Sequence, residues 1–278
     1  MNNLPSDLIE TVQNALQEDI GSGDITAQLI PTENWAKAQI ISREPAIICG
    51  IPWVDEVFRQ LDEQVTLSWQ VQEGEHVQAD QILLYLTGPA RPLLTGERTA
   101  LNFLQLLSGT ATQTNHYVQK LKGTSTQLLD TRKTLPGLRR AQKYAVHCGG
   151  GSNHRLGLYD AFLIKENHIM AAGSLSQAVT QARLLAPHLP VEVEVETLTQ
   201  ITEALAVQVD SLLLDNFTLP QLRQAVELVQ KRAKLEASGG VNLNTVRTIA
   251  ETGVDFISIG AITKHVQAID LSMRILPD

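Results

Sequence analysis

The chain lacks most of the features that would place it outside the cell or in a membrane. Only two cysteines, Cys49 and Cys148, occur in 278 residues. They lie far apart in the sequence and show neither a disulfide framework nor a metal-ligand spacing. No apolar run approaches the ~20 residues needed to cross a bilayer. The N-terminus, Met1 to Asp19, is polar and acidic and has no basic-then-apolar signal-peptide order, so a cytoplasmic location is expected. Positive charge is scarce as well. With 22 Lys and Arg against 30 Asp and Glu, the net charge is −8, which speaks against the broad basic surface of a nucleic-acid binder. No Gly-x-Gly-x-x-Gly turn follows a strand pattern, so a dinucleotide fold is not indicated.

What positive charge there is has been concentrated. Between residues 130 and 170 stand Arg132, Lys133, Arg139, Arg140, Lys143, Arg155 and Lys165, against Asp130, Asp160 and Glu166. That is a local +4 in a chain of −8, leaving −12 for the remainder. A cationic island in an acidic protein suits a small polyanion, rich in carboxylates and phosphates, better than it suits a polymer.

Two halves differ in hydrophobic period. Up to about residue 110 the pattern predicts a helix capped by Ser6 and running to about Glu18. Strands follow at 38–42, 46–49, 65–71 and 82–87, with a helix over 54–61. The turn Glu73-Gly74-Glu75-His76-Val77 is similar to a carrier-domain hairpin. No lysine lies between Lys37 and Lys120 to be modified, so a structural hairpin is expected. One helix from Gly96 to about Gly109 and a second to about Lys122 come next. Beyond Gln127, strands at 127–130, 161–164, 191–195, 211–214, 235–237 and 256–259 alternate with helices at 138–147, 175–185, 198–207, 220–231 and 243–252. Strand–helix alternation implies a parallel sheet with right-handed crossovers, here an α/β fold approaching a closed barrel. The apolar tail, 268–275, reads as a strand returning to the first domain. The expected domains are 1–110, joined by 268–278, and 111–267.

In such a barrel, side chains at the C-terminal strand ends share one mouth. In order these are Thr131-Arg132-Lys133, Lys165, Glu194, Asp215, Ser238-Gly239-Gly240 and Ser258-Ile259-Gly260-Ala261. The two late glycine turns either join strand to helix and nothing more, or bring backbone N–H groups close to a phosphate. Glu192, Glu194 and Glu196 alternate with valines, so they face a polar lumen or the strand lies at an edge. Asp215 either caps the next helix or, with Glu194, serves Mg²⁺ held largely through substrate oxygens or sugar hydroxyls. Lys133 and Lys165 are candidate Schiff-base lysines, but their cationic neighbours favour electrostatic clamping. Arg132 and Arg155 suit two-pronged carboxylate recognition. His154 and His168 have no metal-site spacing and are expected in structural or substrate contacts.

These residues resemble the quinolinate phosphoribosyltransferase family along essentially the whole chain. The similarity is carried by Glu18 to Thr26, Gly96 to Asn102, Asp130 to Gly137, Gly149 to Arg155, Ile164 to His168, Asp215-Asn216-Phe217 and Glu236 to Val241. The resemblance implies an N-terminal α/β sandwich domain with an incomplete α/β barrel, in a head-to-tail homodimer whose active site is shared between subunits, higher oligomers being left open. It implies that Arg98 is donated across the interface and that Arg132, His154, Arg155 and Lys165 meet quinolinate. Lys133, Glu194 and Asp215 then meet 5-phosphoribosyl 1-pyrophosphate and its Mg²⁺. The Ser238–Gly240 and Ser258–Ala261 turns cradle the 5′-phosphate. The implied reaction is phosphoribosyl transfer with decarboxylation, giving nicotinate mononucleotide, with Lys133, Lys165, Glu194 and Asp215 as its catalytic residues. Alternatives in the same fold are a paralogous transferase-like protein associated with molybdenum uptake, a silent anion-binding scaffold and a Schiff-base aldolase.

Overall fold

The structure, a computed structural model, describes residues 4–277. Its first elements are α1 (Leu8–Ile20), β1 (Trp35–Ser42), β2 (Ala46–Ile47), α2 (Ile51–Leu61), β3 (Thr66–Trp69), β4 (His76–Val77), β5 (Ile82–Pro89), α3 (Ala90–Leu121), β6 (Gln127–Leu129) and α4 (Arg139–Cys148). They are followed by β7 (Phe162–Ile164), α5 (Glu166–Ala172), α6 (Leu175–Leu185), β8 (Val191–Val195), α7 (Leu198–Ala206), β9 (Ser211–Asp215) and α8 (Leu219–Val229). The last are β10 (Lys234–Ser238), α9 (Val246–Ala250), β11 (Phe256–Ser258), α10 (Ala261–Lys264) and β12 (Leu271–Leu276).

The chain divides into two compact units. The first runs through Asn115 and includes Thr134–Gly150 and the segment from Ile262 onward; the second is His116–Lys133 with Gly151–Ala261. The segment 134–150, which holds α4, thus packs with the N-terminal unit although it follows the first strand of the barrel-like repeat.

The first unit is built on an antiparallel sheet of order β12-β1-β5-β3. The tail strand does return to it: β12 pairs with β1, Ala38 opposite Ile275. Alternation along β1 and β5 buries Ala38, Ile40, Leu84 and Leu86 in a core shared with Val12 and Leu16 of α1, Trp53, Val57 and Phe58 of α2, and Leu101 and Leu104 of α3. Fully burying each such side chain is worth about 1.5–3 kcal/mol. Leu8, Val12 and Leu16 lie on the buried face of α1, but Ser6 does not cap it; the residue before the helix is Asp7, and it makes no side-chain cap.

One expected boundary fails. Residues 90–121 form a single helix of 32 residues, not two helices parted at Gly109. The glycine answers a packing demand instead: a Cβ there would stand 2.1 Å from the Gln267 carbonyl oxygen.

The second unit is a six-stranded sheet of order β6-β11-β10-β9-β8-β7, with every pairing parallel. Strands β7 to β11 lie side by side in chain order and β6 joins beyond β11. This is the order of a barrel left open between its first two strands. Valines of β8, leucines of β9 and Leu235 and Ile257 form the buried strand faces, and α6, α7 and α8 bury apolar residues at helical spacing. β8 lies between β7 and β9, so the edge explanation for its glutamates is excluded. The short helix α5, with no buried residue, was not foreshadowed by periodicity. Among the described residues no helix is long and apolar enough to cross a membrane.

Candidate active site

Parallel pairing brings the C-terminal strand ends of the second unit to one rim of the sheet. The register places Ser238 opposite Asp215, Leu213 opposite Glu194, Val193 opposite Ile164 and Ser258 opposite Leu129. Thr131, Arg132, Lys133, Lys165, Glu194, Asp215, Ser238 and Ser258 therefore belong to one rim. Arg98 belongs to the other unit, exposed on α3.

The cations come in two kinds. Lys165 is neutralised by an ion pair with Glu194, and its N–H donates to His168 Nδ1 at 3.0 Å. His168 thereby closes the turn that opens α5, which explains it as a positioning residue. Arg132 and Arg155 form no ion pair among the described residues, although Glu192 and Asp160 act on Arg155 from further away. Arg132 Nε is buried and has no hydrogen-bond partner among the described residues. Burial, and then the neighbouring Arg132 guanidinium, hold Arg155 below the ordinary arginine range. Two half-buried guanidiniums that repel one another, one with an orphaned donor, are suited to receive an anion.

His154 is held more tightly than its sequence suggested. Its N–H donates to Asp130 Oδ1 at 2.9 Å, and Asn153 donates to the other oxygen of that fully buried carboxylate at 2.6 Å. Its Nε2 lies 2.9 Å from Glu192 Oε2 and 3.3 Å from Glu236 Oε2. Burial alone would lower the imidazole's pKa, but hydrogen bonds to the two glutamates and their charges push it up to about 10. The Arg155 N–H points at Nδ1 from 2.8 Å, so the proton on Nε2 is the one the carboxylates hold. A second proton on Nδ1 has to displace that contact. Glu192 and Glu236 are the functional residues that sequence reasoning passed over. The valine–glutamate alternation flagged Glu192 without its role, whereas Glu236 is a single acid in Lys-Leu-Glu-Ala-Ser.

The late turns are shaped for close backbone approach. Gly239 and Gly240 have φ of +99° and +61°, and a Cβ on Gly239 would lie 2.1 Å from Asn216 Oδ1. A Cβ on Gly260 would stand 2.7 Å from Lys133 Cδ and 3.3 Å from Thr131 Oγ1, so Lys133 lies across that turn. Thr131 Oγ1 accepts the Lys133 N–H at 3.0 Å. The helix after Gly240 starts only at Val246, so the first turn offers its own N–H groups and not an immediately adjoining helix end. Ser258 is buried and hydrogen-bonded to Glu236. Ile259 is buried and its N–H donates to Leu129, which leaves both residues to shape the turn, while Ala261 opens α10. Asp215 accepts from Asn216 Nδ2 at 3.0 Å; no cap on α8 comes from it, since that role falls to Thr218 with Gln221.

Fold and rim together define a class: an incomplete α/β-barrel protein with paired guanidiniums and glycine turns at its rim. Residues 24–108 match the family "Quinolinate phosphoribosyl transferase, N-terminal domain" and residues 110–274 match its C-terminal domain. The chain is 43% identical over 273 residues to the nicotinate-nucleotide pyrophosphorylase (carboxylating) of Mycobacterium leprae, covering 95% of each. It is 38% identical to the quinolinate phosphoribosyltransferase (decarboxylating) 2, mitochondrial, of Nicotiana glauca, over 97% of this chain and 82% of that one. The nicotinate-nucleotide pyrophosphorylase structure from Francisella tularensis superposes with a TM-score of 0.94 at 47% identity, covering 99% and 98% of the two chains. The chain belongs to the quinolinate phosphoribosyltransferase family.

Proposed function

We propose that the protein transfers the phosphoribosyl group of 5-phosphoribosyl 1-pyrophosphate to quinolinate with loss of CO₂, giving nicotinate mononucleotide and pyrophosphate for NAD biosynthesis. The observation that carries this reading is the Arg132–Arg155 pair, whose repulsion and orphaned Nε call for a dianion. Arg132 and Arg155 grip the two carboxylates, with His154 held beside them by Glu192 and Glu236 and Lys165 held by Glu194. This aims the pyridine nitrogen at the anomeric carbon. Lys133, lying over Gly260, faces the phosphate side and stabilises charge on the departing pyrophosphate. Nitrogen attack gives a pyridinium, and its positive charge next to the 2-carboxylate makes decarboxylation feasible. Holding two polyanions in reacting geometry can by itself supply about 7–11 kcal/mol.

The donors at the rim fit Mg²⁺. Asp215 and Glu194 are hard oxygen donors on neighbouring strands that would hold the ion together with substrate oxygens, Glu194 being already paired to Lys165. Bound there, Mg²⁺ offsets pyrophosphate charge. The same reading includes a cytoplasmic homodimer. Arg98 is exposed and makes no hydrogen bond or ion pair among the described residues, which suits an arginine donated to a partner's quinolinate. Mixing Arg98→Ala with Lys133→Ala subunits should then restore about a quarter of wild-type activity, through hybrids with one intact site. The direct test of function incubates the protein with Mg²⁺, 5-phosphoribosyl 1-pyrophosphate and quinolinate. Nicotinate mononucleotide and CO₂ should appear together; substrate binding without either product would leave only an anion-binding scaffold.

A further inference from the structure

The first unit holds a second cluster of reactive side chains that phosphoribosyl transfer does not use. Cys49, Glu73 and Cys148 come from three separate segments: the connection between β2 and α2, the turn between β3 and β4, and the last residue of α4. One donor atom from each, two sulfurs and a carboxylate oxygen, lies within 4.8 Å of the other two. Cys148 Sγ is 4.0 Å from Glu73 Oε1. We propose that these three residues form a binding site for one borderline-soft divalent cation of the zinc class.

Each donor is fixed by its own surroundings. The Cys49 N–H donates to Ser108 Oγ at 2.9 Å, and its carbonyl accepts the Ser108 hydroxyl at 3.1 Å. Glu73 accepts the N–H groups of Gly50 and Ile51 at 2.8 and 3.1 Å, so its carboxylate caps the start of α2 and is oriented before any ligand arrives. The next residue, Gly74, lies against the Cys148 carbonyl, 3.5 Å from where its Cβ would be, and its N–H is tied to Ile48 at 2.8 Å. Donors around a tetrahedral zinc, with bonds of about 2.0–2.3 Å, stand roughly 3.3–3.8 Å apart. The cluster is therefore a short inward closure from coordination.

Charge and chemistry point the same way. No Lys, Arg or His pairs with Glu73 among the described residues; its partners are backbone N–H groups, the two thiols and the Tyr144 hydroxyl. A carboxylate flanked by two thiols and no cation is a donor set that lacks a counter-charge. Two sulfurs select zinc-class ions over Mg²⁺ or Ca²⁺. Cys49 is buried, but Cys148 and Glu73 are partly exposed, which gives an entry path and leaves room for water as a fourth ligand. Three donors with an open position match the ligand count of a zinc site that retains a water.

The test is a Co²⁺ titration of the full chain kept reduced with a phosphine. Thiolate-to-cobalt charge-transfer absorption in the near ultraviolet should saturate at one equivalent per chain, and Zn²⁺ should displace it. Cys148→Ser should abolish the band, and Glu73→Gln should weaken cobalt affinity at least tenfold. Cobalt held at His154 or at the Asp215 rim gives no sulfur band, so the substrate site does not confuse the readout. Cys148 is partly exposed, so its serine variant stays informative even if Cys49→Ser does not fold. No sulfur band in protein with two titratable thiols would overturn the proposal, as would a band that survives Cys148→Ser. Recovery of the reduced, metal-treated protein as a Cys49–Cys148 disulfide would overturn it too.

Discussion

The two units each enclose a cluster of three titratable side chains, and the clusters are built on opposite plans. In the second unit, two glutamates surround a histidine that can carry their counter-charge, 2.9 and 3.3 Å away. In the first, a glutamate meets two thiols and finds no cation among the described residues. The first arrangement holds a histidine beside Arg155 as its own counter-charge, although Glu236 Oε1 is left buried without a hydrogen-bond partner among the described residues. The second has donors to spare. A buried charge with its partner in the chain organises a site, whereas a buried donor set without one asks for a partner from outside.

The largest effect is expected where the anion site meets this organisation. Arg132→Ala removes the guanidinium with the orphaned Nε and should lower kcat/KM for quinolinate by about 100-fold, the worth of two charge-assisted hydrogen bonds. Steady-state kinetics with 5-phosphoribosyl 1-pyrophosphate saturating will show it. A loss seen only in the KM for the sugar phosphate would move Arg132 to the other substrate.

Stability separates the clusters next. Glu236→Gln leaves His154 with one carboxylate in a buried site and should cost about 2–3 kcal/mol. Glu73→Gln keeps an oxygen for one of the Gly50 and Ile51 N–H groups, which now meet different carboxylate oxygens, and should cost the metal-free protein about 1 kcal/mol. Urea unfolding of both variants decides it, and equal losses would erase the distinction.

The remaining effect is in pH. His154 is raised from 6.5 to about 10, so the folded state holds its proton more tightly than the unfolded chain does. Its contribution is full below pH 6.5 and is lost as pH rises towards 10. A plot of Tm against pH should decline across that window, and His154→Gln should flatten it. Identical slopes for the variant and the wild type would show that the glutamates do not raise the imidazole's pKa.

Much of this was legible in the sequence because it is local. Strand–helix alternation after Gln127 announced the parallel sheet, and the strand-end residues Arg132, Lys165, Glu194 and Asp215 announced its rim. What was not legible depends on distant neighbours. Gly109 reads as a helix end until the Gln267 carbonyl is seen where its side chain would be. Glu236 reads as an ordinary strand acid until His154 arrives from a different segment. The helix α5 buries nothing and so leaves no periodic trace. Cys49 and Cys148, 99 residues apart, meet only because Thr134–Gly150 packs with the first unit.

The central claim is that the paired guanidiniums select a dicarboxylate for phosphoribosyl transfer. Its most direct measurement compares quinolinate with nicotinate as acceptors under identical concentrations of protein, Mg²⁺ and 5-phosphoribosyl 1-pyrophosphate, following pyrophosphate release and CO₂ together. Quinolinate should turn over with one CO₂ per pyrophosphate while nicotinate stays near background. Comparable turnover of the two acceptors, or pyrophosphate released from quinolinate without CO₂, would contradict the account.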